Sequence, residues 1–263
     1  MELIEGFHSV ATLAFVLGSA LVSVRLLVLA HRTREAPELL LGCAILCTAV
    51  LGYGVLIANF ALRGGMQLAA KEVPPVAVAL SGAGKLLHDL GVTLFLLFVV
   101  HVFRRDTRWA QALAGMLALL LWGGFALGAA KGSFRVEQVG GPAWFCEYAV
   151  IWTYPLWNMI ESYRYWGLLR RREALGLADP LVTDRFFLWG TGSLFSALAI
   201  WTASIPYAFM GDLARLTEIT PAVRIVTAVL GLGSIGCSLF AFLPPTWYRR
   251  HVLARASVVS RAS

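Results

Sequence analysis

The stretch Glu147–Arg172, EYAVIWTYPLWNMIESYRYWGLLRRR, decides how the rest of the chain is interpreted. Its first part is apolar and aromatic, and it is longer than the roughly 20 residues that an α-helix needs to cross a bilayer. It nevertheless carries Glu147 and Glu161. Ionisable groups at bilayer depth are costly and usually face the interior of a helix bundle. The stretch therefore predicts a membrane helix whose carboxylates are turned toward neighbouring helices.

The composition of the whole chain is that of a membrane protein. Of its 263 residues, 59% are hydrophobic and 14% are charged, whereas soluble domains contain about 25% charged residues. The sequence predicts an all-α integral membrane protein, with a single seven-helix transmembrane domain over residues 1–250 and a cytoplasmic tail over residues 251–263. The seven predicted spans cover about residues 8–30, 38–62, 84–104, 109–130, 143–168, 185–210 and 220–246.

The distribution of arginine predicts the orientation of these spans. Lys and Arg mark cytoplasmic loops, and arginines concentrate after the first, third and fifth spans and in the tail, as in the run Arg170–Arg172. The N-terminus is therefore expected outside and the C-terminus inside. The preference for arginine over lysine is typical of a GC-rich bacterial genome, so the expected location is the bacterial cytoplasmic (inner) membrane.

The same charge pattern bears on partners. The basic residues are spread along the loops and form no patch, so no nucleic-acid partner is predicted. The expected partners are the lipid bilayer, a small apolar ligand, a cytoplasmic protein that contacts the Arg-rich loops, and a second copy of the chain.

Polar residues follow one face of three predicted helices. Positions spaced by three, four or seven residues share a helix face, so these faces are predicted to meet inside the bundle. They comprise Lys85, Asp89 and Thr93 on the third span, Glu147, Tyr154, Asn158, Glu161 and Tyr165 on the fifth, and Arg224, Thr227, Gly231, Ser234 and Ser238 on the seventh.

Five charged residues are predicted to pair or to relay charge: Lys85, Glu147, Glu161, Arg164 and Arg224. Glu161 and Arg164 have the i, i+3 spacing of a helical ion pair, and Glu147 is expected near Lys85 and Arg224. Ion pairing that holds the bundle together is the alternative to a functional relay.

A ligand pocket is predicted between the third, fifth, sixth and seventh spans. Pro155 and Pro206 lie inside predicted helices, where proline bends a helix and opens space. Aromatic packing without a ligand is the alternative. The predicted pocket residues are Asp89, Trp152, Tyr154, Trp157, Asn158, Trp201 and Ser234.

No cofactor is predicted. Haem is the alternative, because two histidines lie on the third span. Imidazole is a common axial ligand of haem iron, so haem b would be held by His88 and His101. These two residues are turned by about 220° around an ideal helix, which disfavours a shared neighbour. No other metal site is predicted.

Seven spans with the N-terminus outside, together with WTASIP at residues 201–206, resemble the microbial rhodopsins. That resemblance implies retinal on a Schiff-base lysine of the last helix. Here the last span has no lysine, and Ser234 falls near the corresponding place. Covalent retinal and light-driven pumping are therefore not expected.

Five short motifs resemble a bacterial family of seven-transmembrane-helix proteins without an assigned activity. The resemblance extends from the first span to the tail and implies the fold but no catalytic residues. Within LGLADP, Gly176 is expected to end the fifth helix, and Asp184 is expected to cap the next one. The motifs are PELLLG (37–42), ESYRY (161–165), LGLADP (175–180), RFFLWG (185–190) and FLPPTWY (242–248).

No catalytic constellation appears among these residues, and the glycine-rich GLGSIG (231–236) lies inside a predicted span, where small residues favour close helix packing. The sequence favours a non-enzymatic sensor or receptor-like protein that binds a small apolar or lipid-like ligand noncovalently. The alternatives are a haem b or quinone-linked electron-transfer protein, a membrane scaffold and a proton conduit.

Overall fold

The computed structural model describes residues 2–62, 73–135, 139–209 and 213–262, and these contain helices and no strand. The second predicted span is one continuous rod made of α2, a π-helical segment and α3. Residue 210, where the sixth predicted span ends, lies outside the described residues. The elements are α1 (Glu2–Thr33), α2 (Ala36–Ile45), the π segment (Leu46–Gly52), α3 (Tyr53–Leu62), α4 (Pro75–Phe103), α5 (Arg108–Ala130), α6 (Pro142–Glu173), α7 (Pro180–Phe209), α8 (Leu213–Phe242) and α9 (Thr246–Ala262).

Six helices within the described part of the chain are long and apolar enough to cross a membrane. This confirms the prediction of an all-α membrane protein at that level. Helix α6 has 32 residues, but it does not qualify by composition because its charged and aromatic residues make it less apolar. The six spans are Leu3–Thr33, Ala36–Asn59, Pro75–Phe103, Arg108–Ala130, Pro180–Pro206 and Ile219–Phe242.

The long helices pack side by side into a closed ring. In chain order each one contacts the next, from α1 through the α2–α3 rod and α4 to α8, and α8 returns to α1. Helix α4 also contacts α6, so α4, α5 and α6 form a three-helix corner. Despite its polarity, α6 is thus a full member of the ring between α5 and α7.

The ring exposes large apolar side chains on its outer surface and buries several polar side chains, together with an apolar core, inside. Helix α1 illustrates this, because Leu13, Leu17 and Leu21 are exposed on one face while Ser19 and Ser23 are buried on the other. Exposed leucines on a soluble protein would cost free energy, but a lipid environment accommodates them. This distribution supports a bilayer as the surrounding solvent.

The connection from α6 to α7 follows from its sequence. Gly176 has φ +69°, a left-handed conformation that glycine adopts without strain. The amide of Leu177 donates to the Arg172 carbonyl at 2.8 Å, which closes a Schellman turn. Asp179 then caps α7 through its side chain, which accepts the Leu181 amide at 2.8 Å. The predicted cap at Asp184 is therefore wrong, because α7 begins earlier, at Pro180.

Two glycines allow α4 to approach the π segment closely. A Cβ atom at Gly91 would lie 2.6 Å from the Thr48 amide nitrogen and 2.8 Å from the Ala44 carbonyl oxygen. A Cβ atom at Gly52 would lie 2.8 Å from the His88 amide nitrogen. These contacts are with backbone atoms, which cannot rotate away. Glycine is therefore required for this backbone-to-backbone packing.

Helix α9 includes most of the predicted tail. It begins at Thr246, after Pro244 and Pro245, and continues to Ala262, so the predicted boundary at residue 250 falls inside a helix. The Tyr248 hydroxyl donates to Asp184 Oδ2 at 2.5 Å and joins α9 to α7. Asp184 therefore anchors α9.

Candidate functional site

Two ion pairs join α4 to α6, one near each end of the ring. Lys85 Nζ donates to Glu147 Oε2, and Arg104 Nε donates to Glu161 Oε1 at 2.7 Å. Both carboxylates are buried. A buried carboxylate needs a charge partner and hydrogen bonds to offset its desolvation. Helix α4 and its C-cap residue Arg104 thus supply the two cations that keep the acids of α6 inside the bundle.

Two predicted pairings need correction. Arg164 is exposed, and it is Arg104 that binds Glu161, so the predicted i, i+3 pair is wrong. A partner on α4 reaches the buried face of α6, where Glu161 lies. Arg224 donates to Glu5 Oε1 at 3.1 Å and so joins α8 to α1, and it does not pair with Glu147.

Asp89, one turn after Lys85 on α4, is completely buried, with 0% exposure. Its Oδ1 atom lies 3.2 Å from His88 Nδ1, and its Oδ2 atom has no hydrogen-bond partner among the described residues. A buried polar atom without a partner is uncommon and calls for an explanation such as bound water or a role in proton uptake. Asp89 lies outside the central cavity described below.

Asn158 connects α6 to α7 through its complete amide. Its Nδ2 group donates to Ser193 Oγ at 2.6 Å, and its Oδ1 atom accepts Trp189 Nε1 at 3.0 Å. The Ser193 hydroxyl in turn donates to the Trp189 carbonyl at 3.0 Å. This closed set of hydrogen bonds fixes the orientation of Trp189.

A cavity of about 110 Å³ lies inside the ring. Residues of α1, α2, the π segment, α4, α6, α7 and α8 line it, whereas the described residues of α3 and α5 do not. Two irregularities border the cavity: Thr48 of the π segment and Pro155 of α6. π-Helical insertions and prolines disturb regular helix packing, which is a physical reason for space at this level.

The lining of this central cavity combines hydroxyl groups with an aromatic wall. Phe95 stacks on Trp189 with ring centroids 6.0 Å apart and contacts Tyr154 edge-on at 5.2 Å. No charged residue is among the described residues of the lining. The lining hydroxyl groups belong to Ser19, Thr48, Tyr154, Ser193, Ser196, Ser234 and Ser238.

Most of these hydroxyls have a hydrogen-bond partner among the described residues, but those of Ser19 and Tyr154 have none there. Ser196 and Ser234 are hydrogen-bonded to each other at 2.7 Å across α7 and α8, and Thr48 donates to the Ala44 carbonyl at 2.8 Å. Ser19 is buried, lines the cavity and forms no hydrogen bond with a described residue. Its hydroxyl is therefore available to a molecule in the cavity.

The structure brings two of the predicted pocket residues to this cavity, Tyr154 and Ser234. Asn158 lies behind it and acts through Ser193. Trp152 donates to Ser204 at 2.8 Å, and Trp157 packs against Trp109 of α5. The predicted aromatic chamber was thus misplaced, because these tryptophans fill contacts between neighbouring helices. Trp201 and Asp89 also lie outside the lining.

The sequence analysis missed most of the cavity residues. On α7, Trp189, Ser193 and Ser196 have the i, i+4, i+7 spacing of one helix face, and this signal was present in the sequence. On α1, Ser19 and Ser23 show the same periodicity at i, i+4. The contribution of Thr48 depends on the π segment, for which the sequence carried no evident signal.

The alternative haem ligands do not converge. His88 and His101 lie on the same helix, and at about 1.5 Å rise per residue they are separated by roughly 20 Å. His88 is engaged with Asp89. Over the described ranges, no group of three His, Cys, Asp or Glu side chains is arranged to hold a metal ion.

The fold and this cavity define a polytopic all-α membrane protein with an uncharged central cavity that is lined by hydroxyl groups and apolar side chains. Comparisons of the chain with protein-family models, with the curated proteins and with solved structures find no match. The resemblances to the bacterial seven-helix family and to the rhodopsins therefore stay predictions.

Proposed function

We propose that this chain is a non-enzymatic, sensor or receptor-like membrane protein that binds a small ligand noncovalently in the central cavity. The observation that carries the proposal is the lining: a set of hydroxyl groups around an aromatic wall, of which those of Ser19 and Tyr154 have no hydrogen-bond partner among the described residues. Binding sites typically combine an apolar surface with a few placed polar groups. The residues around this cavity offer hydrogen bonds and no acid, base or charged nucleophile.

The volume narrows the class of ligand. A cavity of about 110 Å³ is somewhat smaller than the cavity of about 150 Å³ that holds benzene, and a water molecule occupies about 30 Å³ in the liquid. A lipid-like molecule, which the sequence analysis included, would require the ring to expand. The cavity favours a small amphiphile with a hydroxyl group and a short apolar part.

The proposed protein has seven spans: the six apolar helices and, in addition to them, α6. Its place in the ring and its two ion pairs support this, because Glu147 and Glu161 are buried and do not face lipid. The distribution of arginine supports an N-terminus outside and a C-terminus inside a bacterial cytoplasmic membrane. Ligand binding would shift α6 and α7 and so move the Arg-rich loops, which would contact a cytoplasmic protein. A second copy of the chain remains a further proposed partner.

A size-graded binding experiment tests the proposal. Ethanol, 1-butanol and 1-octanol are titrated into the protein in nanodiscs, and binding is followed by saturation-transfer difference NMR. We expect 1-butanol to bind the wild-type protein, and Ser19→Leu to abolish this binding because the larger side chain fills the cavity. Ser19→Ala keeps the space but removes the hydroxyl that would contact the ligand, so it should weaken 1-butanol binding without abolishing it.

Two results would count against the central site. One is equal 1-butanol binding by the wild type and Ser19→Leu, which places the alcohol in the surrounding lipid. The other is that 1-octanol binds more strongly than 1-butanol and that Ser19→Leu leaves the binding of 1-octanol unchanged.

A proton conduit is the second candidate, and Asp89 is the observation that favours it. Its buried Oδ2 atom has no hydrogen-bond partner within the described part of the chain, and a carboxylate at bilayer depth is typical of proton-transfer sites. Proton flux into liposomes measures this directly. Asp89→Asn and Glu161→Gln should both lower the flux in a conduit, whereas a ligand-binding sensor should show none above protein-free liposomes.

A further inference from the structure

A second, larger pocket lies where α1, α7, the end of α8 and the start of α9 meet. Its volume is about 470 Å³, which falls within the range of about 300–1000 Å³ typical of ligand sites. It is separate from the central cavity, and the two share no lining residue. The Pro244–Pro245 break between α8 and α9 creates the space, because it ends one helix and turns the chain into the next.

The charge of this pocket is mainly positive. Three arginines from three different helices line it, Arg25 of α1, Arg185 of α7 and Arg249 of α9. Asp184 is the acid in the lining, and it already accepts the Tyr248 hydroxyl at 2.5 Å. The acids Glu38 and Asp179 act on Arg185 from outside the lining.

The arginines keep most of their hydrogen-bonding groups for a ligand. Arg185 uses Nε to donate to the Ala241 carbonyl at 3.1 Å, which leaves its two terminal nitrogens. Arg25 and Arg249 form no ion pair with a described residue. Arg25 and Arg185 are close enough to repel each other. A bound anion would offset this repulsion, and guanidinium groups match the oxygens of a phosphate in bidentate geometry.

Apart from Asp184 and the Tyr248 hydroxyl, the rest of the pocket wall is apolar. Leu181, Leu188, Phe240 and Leu243 contribute to it. Trp247, next to the pocket on α9, is exposed, as tryptophans at a membrane interface are. A wall of this kind beside three guanidinium groups suits a ligand that has both an anionic phosphate and a hydrocarbon part. Basic pockets between membrane helices on the cytoplasmic side bind phospholipid headgroups.

We propose that this pocket binds the phosphodiester headgroup of an anionic phospholipid, with its acyl chains along the apolar wall and the outer face of α8. In the proposed orientation the lipid belongs to the inner leaflet. The lipid site does not depend on ligand binding in the central cavity. Its test uses detergent micelles, so the measured lipid affinity does not depend on the membrane orientation of the protein.

Native mass spectrometry of the delipidated protein, titrated with dioleoyl-phosphatidylglycerol, tests the site. Dioleoyl-phosphatidylcholine provides the zwitterionic comparison, and inorganic phosphate and glycerol 1-phosphate provide the soluble anions. Each basic residue near an anionic lipid contributes about 1 kcal/mol, which is about fivefold in affinity. We therefore expect Arg25→Gln and Arg249→Gln each to weaken phosphatidylglycerol binding about fivefold, and the double variant about 25-fold.

Arg250→Gln is the matched control, because Arg250 is exposed on the same helix and does not line the pocket. It should leave the affinity within about twofold. Equal affinity for the two lipids, or an equal loss in the control and in Arg249→Gln, would overturn the proposal. Binding of inorganic phosphate as tight as that of the lipid would also overturn it, because the apolar wall would then contribute nothing. Thermal unfolding of each variant without lipid shows whether the fold is retained.

Discussion

The ion pair between Arg104 and Glu161 tests how α6 keeps charge inside the bundle. The Glu161 side chain is 5% exposed and the Arg104 side chain is 19% exposed. Removing one member of a buried pair costs about 3–5 kcal/mol, because the other member stays buried without compensation. We expect Arg104→Met to lower the free energy of unfolding by this amount, since it leaves the more deeply buried carboxylate alone.

The reverse substitution should cost less. Glu161→Gln keeps an oxygen that can accept the Arg104 Nε hydrogen bond, and Arg104 retains access to water. We expect a loss of about 1–3 kcal/mol. The double variant Arg104→Met/Glu161→Leu removes both charges, and it should be more stable than Arg104→Met alone by about 1–4 kcal/mol.

Unfolding is followed by far-UV circular dichroism during SDS titration in mixed micelles, with the free energy extrapolated to zero SDS. Arg164→Met is the control, because Arg164 is the exposed neighbour that helical spacing favoured as the partner. It should change stability by less than about 0.5 kcal/mol. The reasoning is refuted if Arg164→Met is as destabilising as Arg104→Met, or if the two single losses add in the double variant.

Three further predictions follow from the packing of the ring. Asn158→Leu should lower the free energy of unfolding by about 1–3 kcal/mol, because it leaves Trp189 Nε1 buried without an acceptor. The same SDS titration measures this, and an unchanged free energy of unfolding would contradict it. Gly91→Ala should lower the free energy of unfolding by about 1–3 kcal/mol, since the added Cβ meets backbone atoms of the π segment. Gly123→Ala is the control: its Cβ meets nothing within 4 Å, so it should not be destabilising. Burial, followed by its hydrogen bond to an aspartate, raises the pKa of Tyr248 above 10.0. Above about pH 10 the Tyr248 hydroxyl therefore loses its proton in the unfolded chain but keeps it in the folded chain. Wild-type stability should then fall more steeply with pH than that of Tyr248→Phe. Thermal midpoints of the two proteins that run parallel between about pH 8 and pH 11 would show the reasoning to be wrong.

The sequence predicted the fold better than the site for a physical reason. Bilayer thickness sets the length of a span, so apolar windows locate the helices closely, and the cost of charge in lipid correctly indicates that Glu147 and Glu161 face inward. Which neighbour binds each of them depends on packing across helices. The local spacing favoured Arg164, but the partner of Glu161 lies on another helix, at Arg104.

The cavity was harder to predict because its space depends on backbone irregularity. Proline reveals one such irregularity in the sequence, and Pro155 does border the cavity. The π segment that brings Thr48 to the opposite side carries no comparable mark. Tryptophans attracted the prediction because they are large, yet Trp152 and Trp157 fill interfaces between adjacent helices, and small serines line the central space.

The polarity of α6 has a consequence for the biogenesis of the protein. A charged residue at the centre of a nascent helix costs about 2.5–3.5 kcal/mol during insertion by the translocon, and α6 carries Glu147, Glu161 and Arg164 along its length. The cations that neutralise its two buried acids belong to α4, which the ribosome completes first. We therefore expect α6 to enter the bilayer only after α4 is in place, so that assembly of this pair precedes the synthesis of the last helices.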